Sequence, residues 1–325
     1  MIQAIKQSRL LKYTLKRMVL AILVLLLVSV VVFAAVRLCP GDPVAGKIGA
    51  HGDFSEENYN RVAAELGLDK PFVVQYFIWL RDFLRGDFGK SLLNGADIKE
   101  IILQKLPITL ELLLISMLLA TLLAVLFGVT SAIYKDSWFD QFIRFLSTGF
   151  LAVPGFCLGI IMLLIFAVKL RLLPSMGYAP LSQGFGRHFR FLVMPMITMA
   201  LMEQAALTRY IRSEMLEVLG SNYIRTAKAK GLTKRMVYYR HAFKNVLVTV
   251  VTLLGMRIGQ LVGGAVVIEQ VFGWPGIGWY LYSSISSQDY PAVQAIVLLI
   301  AVIMVLLNML CDILYAVIDP RIKLS

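Results

Sequence analysis

"MVLAILVLLLVSVVVFAAV", residues 18–36, contains no charged residue and a single hydroxyl, Ser29. A helix needs about 20 apolar residues to cross a hydrocarbon core of roughly 30 Å, and this run has that length. Five cations, Lys6, Arg9, Lys12, Lys16 and Arg17, precede it. A charged start before an apolar stretch also describes a signal peptide. This run is too long for that, and no small-residue cleavage site follows it. The stretch reads as an uncleaved first span, 18–36, behind a cytoplasmic segment, 1–17.

The same pattern recurs along the 325 residues, of which 58% are hydrophobic and 16% charged. A soluble domain carries about 25% charged residues. The expected fold is therefore an all-α polytopic membrane protein with six transmembrane helices. The further spans are expected at 108–133, 142–168, 191–207, 246–268 and 292–318. Between the first two lies an external lobe, 37–107, whose stretch "FVVQYFIWLRDFL" (72–84) has apolar residues at helical spacing. An external loop, 169–190, a basic loop, 208–245, and an external turn region, 269–291, connect the others. The tail 319–325 follows. The loop 208–245 holds nine Lys and Arg against two Glu. The positive-inside rule places this loop and both termini in the cytoplasm. It also accounts for the net charge of +12 without nucleic acid.

Several chemistries find no footing. The cysteines are three and scattered, Cys39, Cys157 and Cys311, which gives no disulfide framework. His51, His188 and His241 are far apart, and no metal-ligand spacing occurs. No catalytic or cofactor-binding residue stands out. There is no G-x4-G-K-[ST], no H-E-x-x-H and no G-x-S-x-G. The glycines of "FGWPGIGW" (272–279) lack the lysine of a phosphate loop and read as turn-formers. The methionines of "MPMITMALM" (194–202) read as packing, and Pro195 within them as a kink or break.

Glu111, Glu203, Arg257, Glu269 and Asp312 lie in or near spans. Charge there is costly, so such groups face a bundle interior, an aqueous path or the interface. Glu111 and Glu269, near span ends, read as interhelical contacts or snorkelling groups. Arg257 lies deepest, and with Glu203 it is the candidate lining of a polar path.

Within the basic loop, "SNYIRTAKAKG" (221–231) has the marks of a short helix, with Ser221 as cap and Gly231 as stop. Its cations do not share one side. Arg225 and Lys228 lie on one face of the wheel, and Lys230 lies elsewhere near Tyr223. A lipid-binding helix would gather them. Ala227, Ala229 and Gly231 instead leave small surfaces on which a partner can come close.

At these residues the chain resembles the inner-membrane permease subunits of binding-protein-dependent ABC importers. Within them it is similar to the dipeptide, oligopeptide and nickel group. The resemblance runs through "PGDPV" (40–44), "LGLDKPFVVQYFIWLRDFLRGDFGKS" (66–91), "MLEVLGSNYIRTAKAKGL" (215–232), "RHAFKN" (240–245), "VFGWPGIG" (271–278), "DYP" (289–291) and "DPRIK" (319–323). The family motif, Glu-Ala-Ala, three residues, then Gly, falls on Arg225, Thr226, Ala227 and Gly231, with Arg225 in place of the acid. Gln288 stands where an Arg commonly precedes "DYP".

The resemblance implies a type I importer permease fold in a bacterial plasma membrane and no enzyme activity in this chain. ATP and magnesium would be used by partner subunits. The implied partners are a second homologous permease, two ATP-binding subunits and an extracytoplasmic solute-binding protein. Tyr223, Arg225, Thr226, Ala227, Lys228, Ala229, Lys230 and Gly231 would form the ATPase-coupling helix. The implied cargo is small peptides, with nickel or a metal chelate as the alternative. A reading of another class is a stand-alone secondary transporter or channel; a proton-coupled carrier would want a buried acid relay, and the scattered acids make a thin one.

Overall fold

The computed structural model describes residues 2–38, 43–48, 52, 53, 55–65 and 67–318. Within them it describes every side chain except those of residues 2–13, 43, 248, 249, 252, 256, 258–260 and 312–318. The stretch 40–42 of "PGDPV", His51, Cys39 and the tail with "DPRIK" lie outside the described residues, as does the side chain of Asp312.

The helices in chain order are α1 (Ile2–Leu38), α2 (Pro43–Ile48), α3 (Glu56–Glu65), α4 (Phe72–Leu84), α5 (Ile98–Ile133), α6 (Trp138–Ala152), α7 (Gly155–Met162), α8 (Phe185–Gly220), α9 (Asn222–Ala229), α10 (Phe243–Phe272), α11 (Ile277–Ser286) and α12 (Tyr290–Ile318). Two π-helical stretches, Leu163–Lys169 and Met236–Ala242, extend α7 and lead into α10. Among the described residues the β pairing is a single isolated bridge, Lys90 to Asp97. By length and composition four helices can cross a membrane. They become up to six if the broken pairs 138–169 and 261–286 each count as one span.

The contacts divide the chain into two units. Unit 1 is residues 1–109, 275–316 and 321–325; unit 2 is 110–274 and 317–320.

In unit 1, α4 is fastened to the end of α1. Phe33, 1% exposed, meets the rings of Phe72 and Tyr76 edge-on at 5.2 and 5.6 Å. The Tyr76 hydroxyl lies 2.8 Å from Ser29 Oγ, which uses the one hydroxyl of the apolar run. Ile98 and Ile102 of α5 pack with Ile277 of α11 and Ala292, Ala295 and Ile296 of α12. The buried Asp289 carboxylate accepts from Ser91 Oγ at 2.5 Å and from the Leu92 amide at 3.1 Å. That joins the lobe to the start of α12.

In unit 2, α8 is the central helix. Its apolar stretch is 67% buried, against 17% for α1 of unit 1, and Pro195 sits buried inside it without ending it. The kink or break expected at Pro195 does not divide this helix. The break falls instead in the third apolar run. That run, 142–168, was expected as one span and is two helices, bent by 104° at Val153–Pro154. Proline has no N–H to give and pushes the residue before it out of the α region; Val153 is extended at φ −91°, ψ 125°. A methyl at Gly128 would stand 2.8 Å from the Ile211 side chain, so α5 and α8 meet closely there.

Candidate functional site

A single residue, Ser221, separates the end of α8 from the start of α9. Ser221 stands at the N-cap, but its hydroxyl donates back to the Val218 carbonyl at 2.6 Å rather than capping α9. The helix stops where Gly231 takes φ +77°. The Gly231 amide donates to the Lys228 carbonyl at 3.0 Å, and the Leu232 amide to the Ala227 carbonyl at 3.4 Å. This paired closure requires a left-handed residue, which glycine adopts without a Cβ clash.

One face of α9 is inward. Ile224 is fully buried and Ala227 is 8% exposed. They join a cluster with Ala124, Val129 and Ala132 of α5, Leu207, Ile211 and Met215 of α8, and Val246 and Val250 of α10. Ala227 was expected on the partner-facing surface. Three residues from Ile224, it shares that residue's face instead, and the protein's own core covers it. Arg225, Thr226, Lys228, Ala229, Lys230 and Gly231 are exposed. Tyr223 is exposed too, and its hydroxyl accepts from Asn245 Nδ2 at 2.6 Å. The outcome is a small cationic surface anchored from beneath by two side chains.

Three charged contacts lie along α8. Its residues His188 and Arg212 are roughly 36 Å apart at 1.5 Å per residue. At one end His188, 2% exposed, has Nδ1 2.7 Å from the Ala179 carbonyl and Nε2 3.0 Å from Glu111 Oε1. A carbonyl only accepts, so Nδ1 is the donor of that contact. The rings of Tyr178 and Trp274 close over this pair. At mid-length Glu203 Oε2 is 3.8 Å from Arg257 Nη1, beyond hydrogen-bond reach, and Oε2 is buried with no hydrogen-bond partner. At the basic end Arg212 grips Asp140 with two bonds, Nε to Oδ1 at 2.7 Å and Nη2 to Oδ2 at 2.6 Å. Ser131 Oγ donates to the same carboxylate, and the Asp136 amide donates to it at 3.0 Å.

The structure places Glu203 and Arg257 3.8 Å apart and leaves Tyr223, Arg225, Thr226, Lys228, Ala229, Lys230 and Gly231 exposed, with Ala227 turned into the core. It makes Glu111 an interhelical contact through His188. It buries Glu269 fully, so that side chain does not snorkel to the interface. The Arg212–Asp140 contact was not foreseen. Its partners are 72 residues apart in sequence, and each taken singly reads as an ordinary loop or span-end charge. The available signal was that Asp140 sits three residues into a helix opened by Ser137, whose Oγ accepts the Asp140 amide at 3.2 Å.

A family model described as "Binding-protein-dependent transport system inner membrane component" matches residues 124–324. Another, described as "Binding-prot-dependent transport system membrane comp, N-term", matches residues 10–113. The oligopeptide transport system permease protein AppB of Bacillus subtilis is 38% identical over 314 residues, covering 96% of this chain and 99% of its own. The dipeptide transport system permease protein DppB of Alkalihalophilus pseudofirmus is 36% identical, again over 96% and 99% of the two chains. The glutathione transport system permease protein GsiC of Salmonella paratyphi A is also 36% identical at the same coverage.

Proposed function

The chain belongs to the family of binding-protein-dependent transport system inner membrane components, multi-pass permease subunits of ABC importers, and from there we propose that it forms half of a path for small peptides. The peptide reading is supported by its relatives, which carry oligopeptide, dipeptide and glutathione names; nickel appears in none of these three. In this reading the basic end of α8 is cytoplasmic, together with both termini. A second permease would complete the path, two ATP-binding subunits would use ATP and magnesium, and an external solute-binding protein would deliver the cargo.

The observation that carries the mechanism is α9. Its inward face is locked into the core by Ile224 and Ala227, and its outward face is cationic and open. Such a helix transmits a push. When the ATP-binding subunits close, a groove gripping Arg225, Thr226, Lys228, Ala229 and Lys230 would drag α9, and α8 directly behind it. Glu203 and Arg257 would line the path. A peptide carries one amino and one carboxylate terminus, and a loosely matched carboxylate and guanidinium suit both.

Gly231 gives the test. A Cβ there meets nothing within 4 Å, and Gly231 is exposed, so Gly231→Trp adds bulk to the docking surface and strain at its φ. Gly231→Asn is the control, because Asn tolerates the left-handed region. The Trp protein should insert normally, lose uptake and leave ATP hydrolysis uncoupled, while the Asn protein should stay close to wild type. Full uptake by the Trp protein would sink the coupling role. For the cargo, mass spectrometry and metal analysis of the ligand bound to the cognate binding protein should find short peptides. A metal chelate there would overturn the peptide reading.

A further inference from the structure

The apolar cluster under α9 reaches α5, α8 and α10, but among the described residues α6 contributes no side chain to it. Yet α6 leads into the bend at Val153–Pro154 and so into α7, which lies close against α10: a methyl at Gly159 would stand 3.2 Å from Phe272. Movement arriving at α9 can reach α7 through α8 and α10, but it carries the start of this bent pair along only where α6 is tied to α8. The charged tie is Arg212. Its guanidinium holds Asp140 of α6 by two hydrogen bonds and Ser131 of α5 by a third at 3.1 Å.

We propose that Arg212, Asp140 and Ser131 form a latch that makes the start of α6 and the end of α5 travel as one body with α8 and α9 during the transport cycle. Arg212 and Asp140 are positioning residues: neither meets cargo or nucleotide. This proposal rests on the reading of α9 as the coupling helix.

Three physical reasons support a latch over a passive contact. Apolar packing holds elements together but is non-directional. A bidentate guanidinium–carboxylate pair fixes both distance and orientation. The carboxylate is held from three places at once: from α8 by Arg212, from α5 by Ser131, and from the turn between α5 and α6 by the Asp136 amide. Finally, Asp140 has no exposed surface. Opening the pair would strand a carboxylate away from water, so it stays closed while softer contacts rearrange. Arg212 is close enough to matter, since α9 begins at Asn222, roughly 15 Å further along the chain at 1.5 Å per residue.

The test uses the whole chain assembled with its partner subunits in liposomes, with Cys39, Cys157 and Cys311 replaced by serine. Spin labels go on Gln141 of α6 and Glu217 of α8, both exposed, and paramagnetic resonance reads their separation. The wild-type separation should be the same without nucleotide and with ATP and vanadate trapped. Asp140→Asn keeps the shape of the side chain but removes its charge. It should make the separation differ between the two states. It should also reduce the stimulation of ATP hydrolysis by the cognate binding protein, added as purified with its bound ligand, by about fivefold or more. Loss of that stimulation at equal amounts of inserted complex is something a merely structural contact would not produce. If Asp140→Asn does not insert, Ser131→Ala removes one donor and carries the same two readouts. A wild-type separation that changes between the states overturns the latch. So does a variant that retains both the fixed separation and full stimulation. Gly231→Trp runs alongside. Full stimulation in that protein would remove the coupling role of α9, whereas loss there with none in Asp140→Asn would remove the latch alone.

Discussion

Two carboxylate–guanidinium pairs, Asp140–Arg212 and Glu203–Arg257, share the chemistry of α8 and differ in everything that decides energy. In the first, both guanidinium bonds are 2.7 Å or shorter and the carboxylate has no exposed surface. In the second, the closest approach is 3.8 Å and the two side chains keep 14% and 25% of their surface. The first pair is fully used by the protein itself. The second is a buried oxygen without a hydrogen-bond partner beside a cation that does not reach it. The tight pair has the geometry of a joint, and the other is matched more loosely.

The largest effect should follow from breaking the tight pair. Removing one partner of a buried ion pair costs about 3 to 5 kcal/mol because the other charge is stranded. Arg212→Ala should therefore lower the detergent melting temperature steeply or prevent recovery of inserted protein. A melting temperature unchanged from wild type would remove the distinction between the two pairs. His188→Leu should come next. It leaves the Ala179 carbonyl and the Glu111 carboxyl without a donor, and a buried unsatisfied group costs about 1 to 3 kcal/mol. The same melting experiment should place it between Arg212→Ala and the slack pair.

This gradation was only partly legible in the sequence. The all-α, multi-span fold was legible because hydropathy is a local property: a run such as 18–36 announces itself. A short helix ending near Gly231 was legible for the same reason, since a small-residue stretch and a glycine stop lie within a few residues. Which face of that helix is covered was not. The wheel orders the side chains, but only the cluster from α5, α8 and α10 decides that Ala227 points inward. The break at Val153–Pro154 carried a local signal in its proline, yet the apolar run continues through it and hides the bend. The Asp140–Arg212 pair was hidden differently. Hydropathy counts each charge as a cost, and nothing in a one-dimensional reading says that two such costs meet.

The slack pair should respond weakly in stability and strongly in transport. Glu203 Oε2 has no hydrogen bond to lose and stands 3.8 Å from Arg257 Nη1, so Glu203→Gln should move stability by less than about 1 kcal/mol in either direction. Uptake of a labelled peptide should nevertheless fall, on the order of tenfold for one lost charged contact. Stability loss comparable to that of Arg212→Ala would show that Glu203 is a structural group and not a lining one.

The smallest effect tests whether distance or burial does the grading. Lys47 and Glu65 in the lobe approach to 2.7 Å, as close as the tight pair, but their side chains keep 36% and 49% of their surface. The Lys47 hydrogen bond, then its charge, holds the Glu65 carboxyl below its usual range. A depressed carboxyl stabilises above its unfolded pKa and loses that contribution as pH falls through the folded one. Water and salt screen an exposed pair. Lys47→Met should leave the neutral-pH melting temperature within error of wild type. Whatever small difference exists should be present at neutral pH and vanish in acid below the carboxylate range. A loss at neutral pH approaching that of Arg212→Ala would mean that a short distance suffices, and that Asp140–Arg212 owes nothing to its burial.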